Sequence, residues 1–186
     1  MGFEYLKYLS DGLDKNALLD ELMITYGKDV WNYAFFITRR KELAEDIAQD
    51  VFVKVYEHLH SFRGDTGIKT WLLSITRNTA LDCLKTAWMR KVQLFPARLR
   101  DGSQPSAESE WFRLQERRDV WRTVLNLPRK QREALLLFAH HRLSIKEIAH
   151  VLQVSEGTVK SRLHRARREV NRLMADGEAR DGGERT

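Results

Sequence analysis

The sequence has 186 residues, of which 42% are hydrophobic and 31% charged, and it contains only ten glycines and three prolines. This composition can supply a buried core, argues against intrinsic disorder, and predicts an all-α protein because helix formers dominate. The one cysteine, Cys83, excludes an intrachain disulfide and a cysteine-based metal site, and no apolar run reaches the about 20 residues that a membrane-spanning helix needs.

The net charge of +6 is unevenly distributed along the chain. Residues 1–60 carry seven basic and eleven acidic side chains, whereas residues 128–172 carry eleven basic and four acidic ones. Basic segments attract phosphates and acidic segments are repelled by them, so this asymmetry predicts two kinds of partner. The N-terminus lacks the basic start and apolar segment of a signal peptide, and we therefore expect a cytoplasmic protein.

Helical periodicity predicts helices over 15–26 and 28–40, and then a longer one over 42–60, where apolar residues recur every four positions. Its opposite face carries Glu42, Asp46, Gln49, Asp50, Val53 and Glu57. Carboxylates around an exposed apolar residue are typical of a protein-docking surface, although an ordinary solvated face fits this helix equally well. We expect Lys54 to offset Asp50 in part. Catalysis by paired carboxylates is disfavoured, since no metal ligand or nucleophile lies nearby.

The next segment couples the loop SFRGDTG to a predicted helix over 68–90. One side of that helix carries polar side chains, with Trp71 next to them: Thr70, Ser74, Arg77, Asn78 and Lys85. Aromatic rings beside basic and amide groups suit unstacked bases, where stacking contributes about 1–3 kcal/mol per base. Both Phe62 and Trp71 could instead be ordinary core residues, and for Trp71 the sequence alone favours the core.

Residues 93–107 hold two of the three prolines and several serines without any periodicity, which predicts an interdomain linker. Helices are predicted over 108–126, 129–141 and 144–152, and a last one starts at residue 155. Ser144 and Glu147 fit a capping box, and the short turn over 153–155 predicts a helix-turn-helix. We therefore expect one domain over 1–92, a second, four-helix domain over 108–174, and a disordered tail over 175–186.

Five lysine or arginine residues lie between Lys160 and Arg168, although like charges on one helix repel each other. The N-terminal half of such a helix can reach base edges in the major groove. Arg165 could hold a guanine and Ser161 could bond to several bases, whereas the other arginines suit phosphates. A solvated basic face without a ligand is the alternative, which the capped helix and tight turn disfavour. His164 lacks the partner that a metal ligand would need.

Three stretches, in this order and spacing, resemble the bacterial RNA polymerase sigma factors of the extracytoplasmic-function (ECF) type. They are AEDIAQDVFVKVYEHLHSFRG, KTWLLSITRNTALDCLK and LPRKQREALLLFAHHRLSIKEIAHVLQVSEGTVKSRLHRARREV. The resemblance spans about residues 42–172 and implies an all-α protein of two small helical domains joined by a flexible linker. One departure is His164, where the family often has an aromatic or other bulky residue, so the exact −35 sequence is not specified.

The resemblance implies a role for each stretch. The residues that would dock on the clamp helices of the polymerase's largest subunit are Asp46, Gln49, Asp50, Phe52 and Val53. Those that would contact the −10 element, including a flipped base near the loop, are Phe62, Arg63, Asp65, Thr70, Trp71, Ser74, Arg77 and Asn78. Those that would contact the −35 element are Thr158, Lys160, Ser161, Arg162, His164, Arg165, Arg167 and Arg168.

The implied function is that of an alternative sigma factor, which recognises a promoter for core RNA polymerase and traps the unpaired −10 strand without any bond-making chemistry, metal or cofactor. The expected partners are core polymerase, through its clamp helices and flap, promoter DNA, and an anti-sigma factor that is often membrane-anchored. A free-standing helix-turn-helix regulator is the alternative, and it predicts tight binding to a palindromic operator without polymerase. A nucleic-acid enzyme is disfavoured.

Overall fold

The computed structural model describes residues 15–62, 64–94 and 118–181. Within these ranges the chain forms seven α-helices and no strand, which confirms the all-α prediction. The helices belong to two compact units, with three helices in Met1–Ser103 and four in Gln104–Thr186. Among the described helices we find no segment with the length and hydropathy of a membrane span.

The first unit is a three-helix bundle. It consists of α1 (Lys15–Thr38), α2 (Lys41–His58), a 3₁₀ turn (Leu59–Ser61) and α3 (Ile68–Leu94). Each of the three helices packs against the other two. The side chains that are almost completely buried between them include Leu22, Val30, Tyr33, Phe36, Ile47, Val51, Val55, Leu72, Leu73 and Ala80.

The predicted break between two N-terminal helices is wrong, because α1 runs through Gly27 without interruption. A glycine in a helix costs only about 1 kcal/mol relative to alanine. Leu22 and Val30 are fully buried on either side of it, so their packing carries the helix across this position. The helix instead ends where Arg39 takes a left-handed backbone conformation (φ 57°).

The second unit consists of α4 (Arg118–Asn126), α5 (Arg129–Ala139), α6 (Ile145–Leu152) and α7 (Glu156–Asp181), and α7 packs against the other three. Its core includes Leu125, Leu136, Leu137, Ile148, Val151, Val159, Leu163 and Ala166. The buried guanidinium of Arg132 donates hydrogen bonds to the carbonyl oxygens of Leu125 (2.7 Å) and Leu127 (3.3 Å). Arg132 therefore satisfies carbonyls at the C-terminal end of α4 that have no partner within that helix.

The predicted helix-turn-helix is present as α6 and α7. The Ser144 hydroxyl accepts the Glu147 amide, and the Glu147 carboxylate accepts the Ser144 amide at 2.8 Å, so the predicted capping box is confirmed. Gln153 closes α6 in a left-handed conformation (φ 53°, ψ 50°). Ser155 then starts α7 by accepting the Thr158 amide at 3.3 Å.

Two further predictions concern segments between and after the domains. The first two residues of the predicted linker 93–107 belong to α3, and residues 95–107 lie outside the described ranges. The start of the predicted helix 108–126 also lies outside them, up to residue 117. The prediction of a disordered tail is wrong for residues 175–181, because α7 continues to Asp181. Once packing has nucleated a helix, extending it by further residues costs far less than starting a new one.

Candidate functional site

One long face of α2 is acidic and unpaired. All of its members are exposed, and we call them the acidic face: Glu42, Asp46, Gln49, Asp50, Val53 and Glu57. None of the four carboxylates makes an ion pair or hydrogen bond with another residue in the part of the chain that the structure describes. Val53 is 58% exposed in the middle of this row. The face thus combines uncompensated negative charge with an apolar centre, as a docking surface requires.

Phe52 does not belong to the exposed surface of α2. Its side chain is only 6% exposed and lies in the core of the first unit. Successive helix residues point about 100° apart, so Phe52 turns inward where Val53 turns outward. A residue that the sequence analysis missed is Tyr56, which is 40% exposed. It follows Val53 by three positions, and this spacing could have identified it as a neighbour on the same face.

Lys54 is not paired with Asp50, although the two are four residues apart on α2. Its ammonium instead donates a hydrogen bond to the Thr79 hydroxyl on α3, with 2.9 Å between Nζ and Oγ1. The Thr79 side chain is buried at 5% exposure. The partial offset of Asp50 by direct contact with Lys54, which the sequence suggests, is therefore absent.

The loop before α3 brings two aromatic rings together. The centroids of Phe62 and Trp71 lie 5.2 Å apart with the ring planes tilted by 49°, and both side chains are half-buried. Gly64 takes a positive φ of 71°, which a residue with a Cβ rarely adopts, and Asp65 is exposed. Each ring therefore leaves part of its surface open beside the loop. Arg63 lies outside the described residues.

Along α3 the predicted polar side is only partly exposed. Asn78 is exposed, Ser74 and Arg77 are half-buried, and the Ser74 hydroxyl donates to the carbonyl oxygen of Thr70 at 2.9 Å. Thr70 itself is only 1% exposed, so its placement on an open surface is wrong. Its neighbour Ile68 is buried as well, which shows that the first turn of α3 is enclosed on more than one side.

The outer side of α7 carries a row of exposed polar and basic side chains, which we call the basic face: Lys160, Ser161, His164, Arg165 and Arg168. The opposite side of the helix is buried through Val159, Leu163 and Ala166. The Ser161 hydroxyl donates back to the Thr158 carbonyl at 2.9 Å and keeps its lone pairs as acceptors. Thr158 and Arg162 are half-buried at the margins of this face.

Two arginines near this face have partners within the second unit. The guanidinium carbon of Arg167 lies 5.2 Å from the centroid of the Phe138 ring on α5, a cation–π contact. Arg172 pairs with Glu169 at 2.6 Å, and this hydrogen bond lowers the pKa of the Glu169 carboxyl. Arg165 and Arg168 reach from α7 into a groove of about 580 Å³ beside Pro128 and Gln131. Among the side chains of α7 that the structure describes, the basic ones without such a partner therefore lie in the first half of the helix.

Comparisons with known proteins match both units. A family model described as Sigma-70 region 2 matches residues 22–90, and one described as Sigma-70, region 4 matches residues 117–170. The ECF RNA polymerase sigma factor SigM of Bacillus subtilis (strain 168) is 30% identical over 159 residues, which are 86% of this chain and 96% of that protein. The RNA polymerase sigma-H factor of Pseudomonas aeruginosa is 32% identical over 170 residues, 87% and 88% of the two chains.

Two solved structures share the fold. The first is the sigma factor RpoE in complex with the anti-sigma factor NepR from Bartonella quintana. It has a TM-score of 0.69 at 21% identity and covers 84% of this chain and 96% of that one. The second is CnrH in complex with the cytosolic domain of CnrY, with a TM-score of 0.66 at 24% identity and coverage of 93% and 97%.

Proposed function

The chain belongs to the ECF sigma factors of bacterial RNA polymerase, and from this premise we propose how its two units divide the work of transcription initiation. The protein is an alternative sigma factor, which gives core RNA polymerase its choice of promoter. The single observation that carries the division of roles is the charge arrangement. An unpaired acidic face lies on α2 of the first unit, and a basic face lies on the second helix of a helix-turn-helix in the other unit.

The acidic face is the docking site for core polymerase in this proposal, on the clamp helices of the largest subunit. Asp46, Gln49, Asp50 and Val53 are all exposed and supply charge, an amide and an apolar centre. Tyr56 extends the apolar part of the surface, and the buried Phe52 supports the helix from behind. Docking on a basic partner would then gain from carboxylates that need not break an internal ion pair first.

The −10 element is held by the loop and the outer side of α3. We assign the stacking of an unpaired base to the half-buried pair Phe62 and Trp71, with Asp65 in the loop beside them. Ser74, Arg77 and Asn78 continue this surface along α3. Binding an unstacked strand better than duplex shifts the population toward open DNA, so the promoter can be melted without any chemistry by the protein itself. Arg63 keeps its predicted role.

The −35 element is read by the basic face of α7. Lys160, Ser161, His164 and Arg165 lie on the first three turns, the part of a recognition helix that reaches base edges. Arg168 and the marginal residues Thr158 and Arg162 are assigned to phosphates, which position the helix without reading sequence. Arg167 is assigned a smaller share of the DNA contact, because its guanidinium already lies over the Phe138 ring.

The remaining parts of the proposal concern partners and location. We extend to this chain the cytoplasmic location and the absence of catalysis that are usual in the family. One solved structure holds a sigma factor together with an anti-sigma factor, and the other holds CnrH together with the cytosolic domain of CnrY. A comparable inhibitor that covers the acidic and basic faces would silence this chain until a signal releases it. The second unit is also expected to contact the flap of the polymerase.

Reconstitution with core polymerase tests the function. The purified chain should confer initiation at a specific promoter, and a gel shift with −35 and −10 DNA should become strong only when core polymerase is added. Tight binding to a palindromic operator without polymerase would instead favour a free-standing regulator. Asp50→Arg should abolish most core binding while the far-UV circular dichroism stays unchanged. Unaltered affinity would remove the role of the acidic face.

A further inference from the structure

The Lys54 ammonium does not bond to the partner that its place in the sequence favours. Asp50 and Lys54 are four residues apart with the acidic residue first, which is the favourable order for an ion pair on a helix surface. The structure instead directs Nζ to the Thr79 hydroxyl of α3 at 2.9 Å. The Asp50 carboxylate is left exposed and without a partner among the residues that the structure describes.

The burial of Thr79 makes this hydrogen bond important for the first unit. Its side chain is 5% exposed, and Lys54 is the one hydrogen-bond partner of its hydroxyl within the described ranges. A buried hydroxyl needs a partner, so Thr79 holds the lysine away from Asp50. Arg77 and Asn78, which the proposed function places on the −10 strand, directly precede Thr79 on α3. The bond therefore connects the docking helix to the helix that carries these proposed DNA contacts.

We propose that Lys54 is a positioning residue whose ammonium is held by Thr79, which keeps Asp50 unneutralised for core polymerase and fixes α3 against α2. This inference rests on the proposed function. It adds the bond between Lys54 and Thr79 as a support next to the docking site. Lys54 itself need not touch polymerase or DNA. A lysine that simply neutralised the acidic face would have the opposite effect, so the two roles predict changes of opposite sign.

Three variants separate these roles, with core-polymerase affinity as the first measurement. Thr79→Val keeps the shape of the side chain but releases Lys54, which is then free to pair with Asp50. We expect core binding to weaken about twofold to fivefold, the range of an exposed ion pair that must be broken on docking. Lys54→Met removes the ammonium and keeps an apolar stem, so core binding should stay equal or become tighter. Thr79→Ser retains the hydroxyl and should match the wild type.

The Asp50→Asn background tests whether the loss of affinity depends on pairing between Lys54 and the Asp50 carboxylate. There the released lysine has no carboxylate to pair with, so adding Thr79→Val should cause no further loss of affinity. Equal weakening by Thr79→Val and Lys54→Met would overturn the inference, and so would a Thr79→Val effect that persists in Asp50→Asn. Thermal unfolding of each variant shows that the comparison is made on folded protein.

Promoter opening is the second measurement, scored as permanganate reactivity of unpaired thymines per bound holoenzyme. Thr79→Val and Lys54→Met both lose the bond to α3 and should both open less DNA, whereas Thr79→Ser should not. Unchanged opening in both variants would overturn the part of the inference that concerns α3. If the wild-type chain bound no core polymerase at all, the proposed function would fail. Wild-type binding together with unaltered Thr79→Val affinity would instead remove only the role of Lys54.

Discussion

The neighbouring residues Phe52 and Val53 should respond to substitution in opposite ways. Phe52 is 6% exposed in the core of the first unit, and Val53 is 58% exposed in the acidic face. We compare Phe52→Ala with Val53→Ser, two single changes at adjacent positions of the same helix. The first should reduce stability without a direct effect on docking, and the second should reduce docking without an effect on stability.

The magnitudes follow from these exposures. Truncating a buried phenylalanine to alanine costs about 3–5 kcal/mol, from lost burial and the cavity left behind. Small domains have total stabilities near the lower end of about 5–15 kcal/mol, so Phe52→Ala should leave the first unit only marginally folded. Full burial of a valine side chain is worth about 1.5–3 kcal/mol. Since somewhat over half of Val53 is open, docking should lose about 1–1.5 kcal/mol, a roughly fivefold to tenfold weaker Kd.

The assay pairs thermal unfolding with core-polymerase affinity measured across a range of temperatures. Val53→Ser should melt like the wild type, because serine and valine have similar helix propensities, and it should bind more weakly at every temperature. Phe52→Ala should melt much earlier and yet bind normally well below its midpoint. A larger loss of affinity for Phe52→Ala than for Val53→Ser, measured where both are folded, would refute this reasoning. It would mean that α2 rearranges on docking and presents Phe52.

Three further predictions concern the second unit. Arg132→Met removes the guanidinium that satisfies two buried carbonyls and should lower the free energy of unfolding of the second unit by about 3–4 kcal/mol. Hydrogen exchange should become faster in α7 peptides, with α2 peptides as the internal control. Unchanged protection of α7 would contradict this prediction. Gln153→Gly relieves a left-handed conformation and should stabilise the unit by about 1 kcal/mol; a lower melting temperature would contradict it. Arg165→Ala should cost about 1–3 kcal/mol at one −35 position, whereas Arg167→Ala should weaken all sequences slightly. The check is a binding assay over single-base variants of the −35 element. A uniform loss for Arg165→Ala together with a position-specific loss for Arg167→Ala would mean that the roles of the two arginines are exchanged.

Local signals in the sequence were enough for much of the second unit. Ser144 and Glu147 predicted the capping box, and the short turn over 153–155 predicted the helix-turn-helix. Both signals act within one or two turns, where backbone geometry determines which groups can meet. The same reasoning failed at Gly27 and at residues 175–181, where packing or helix propagation outweighed an unfavourable local composition.

The sequence by itself determined the all-helical class, the acidic and basic helices, and the family to which the chain belongs. These follow from periodicity, caps and residue order, which are properties of the chain read one helix at a time. Only the tertiary structure decided that Thr70 is buried and that Lys54 bonds to Thr79 rather than to Asp50. Thr79 lies 25 residues after Lys54. The choice between these partners depends on how α2 and α3 pack, and no pattern within a single helix contains that information.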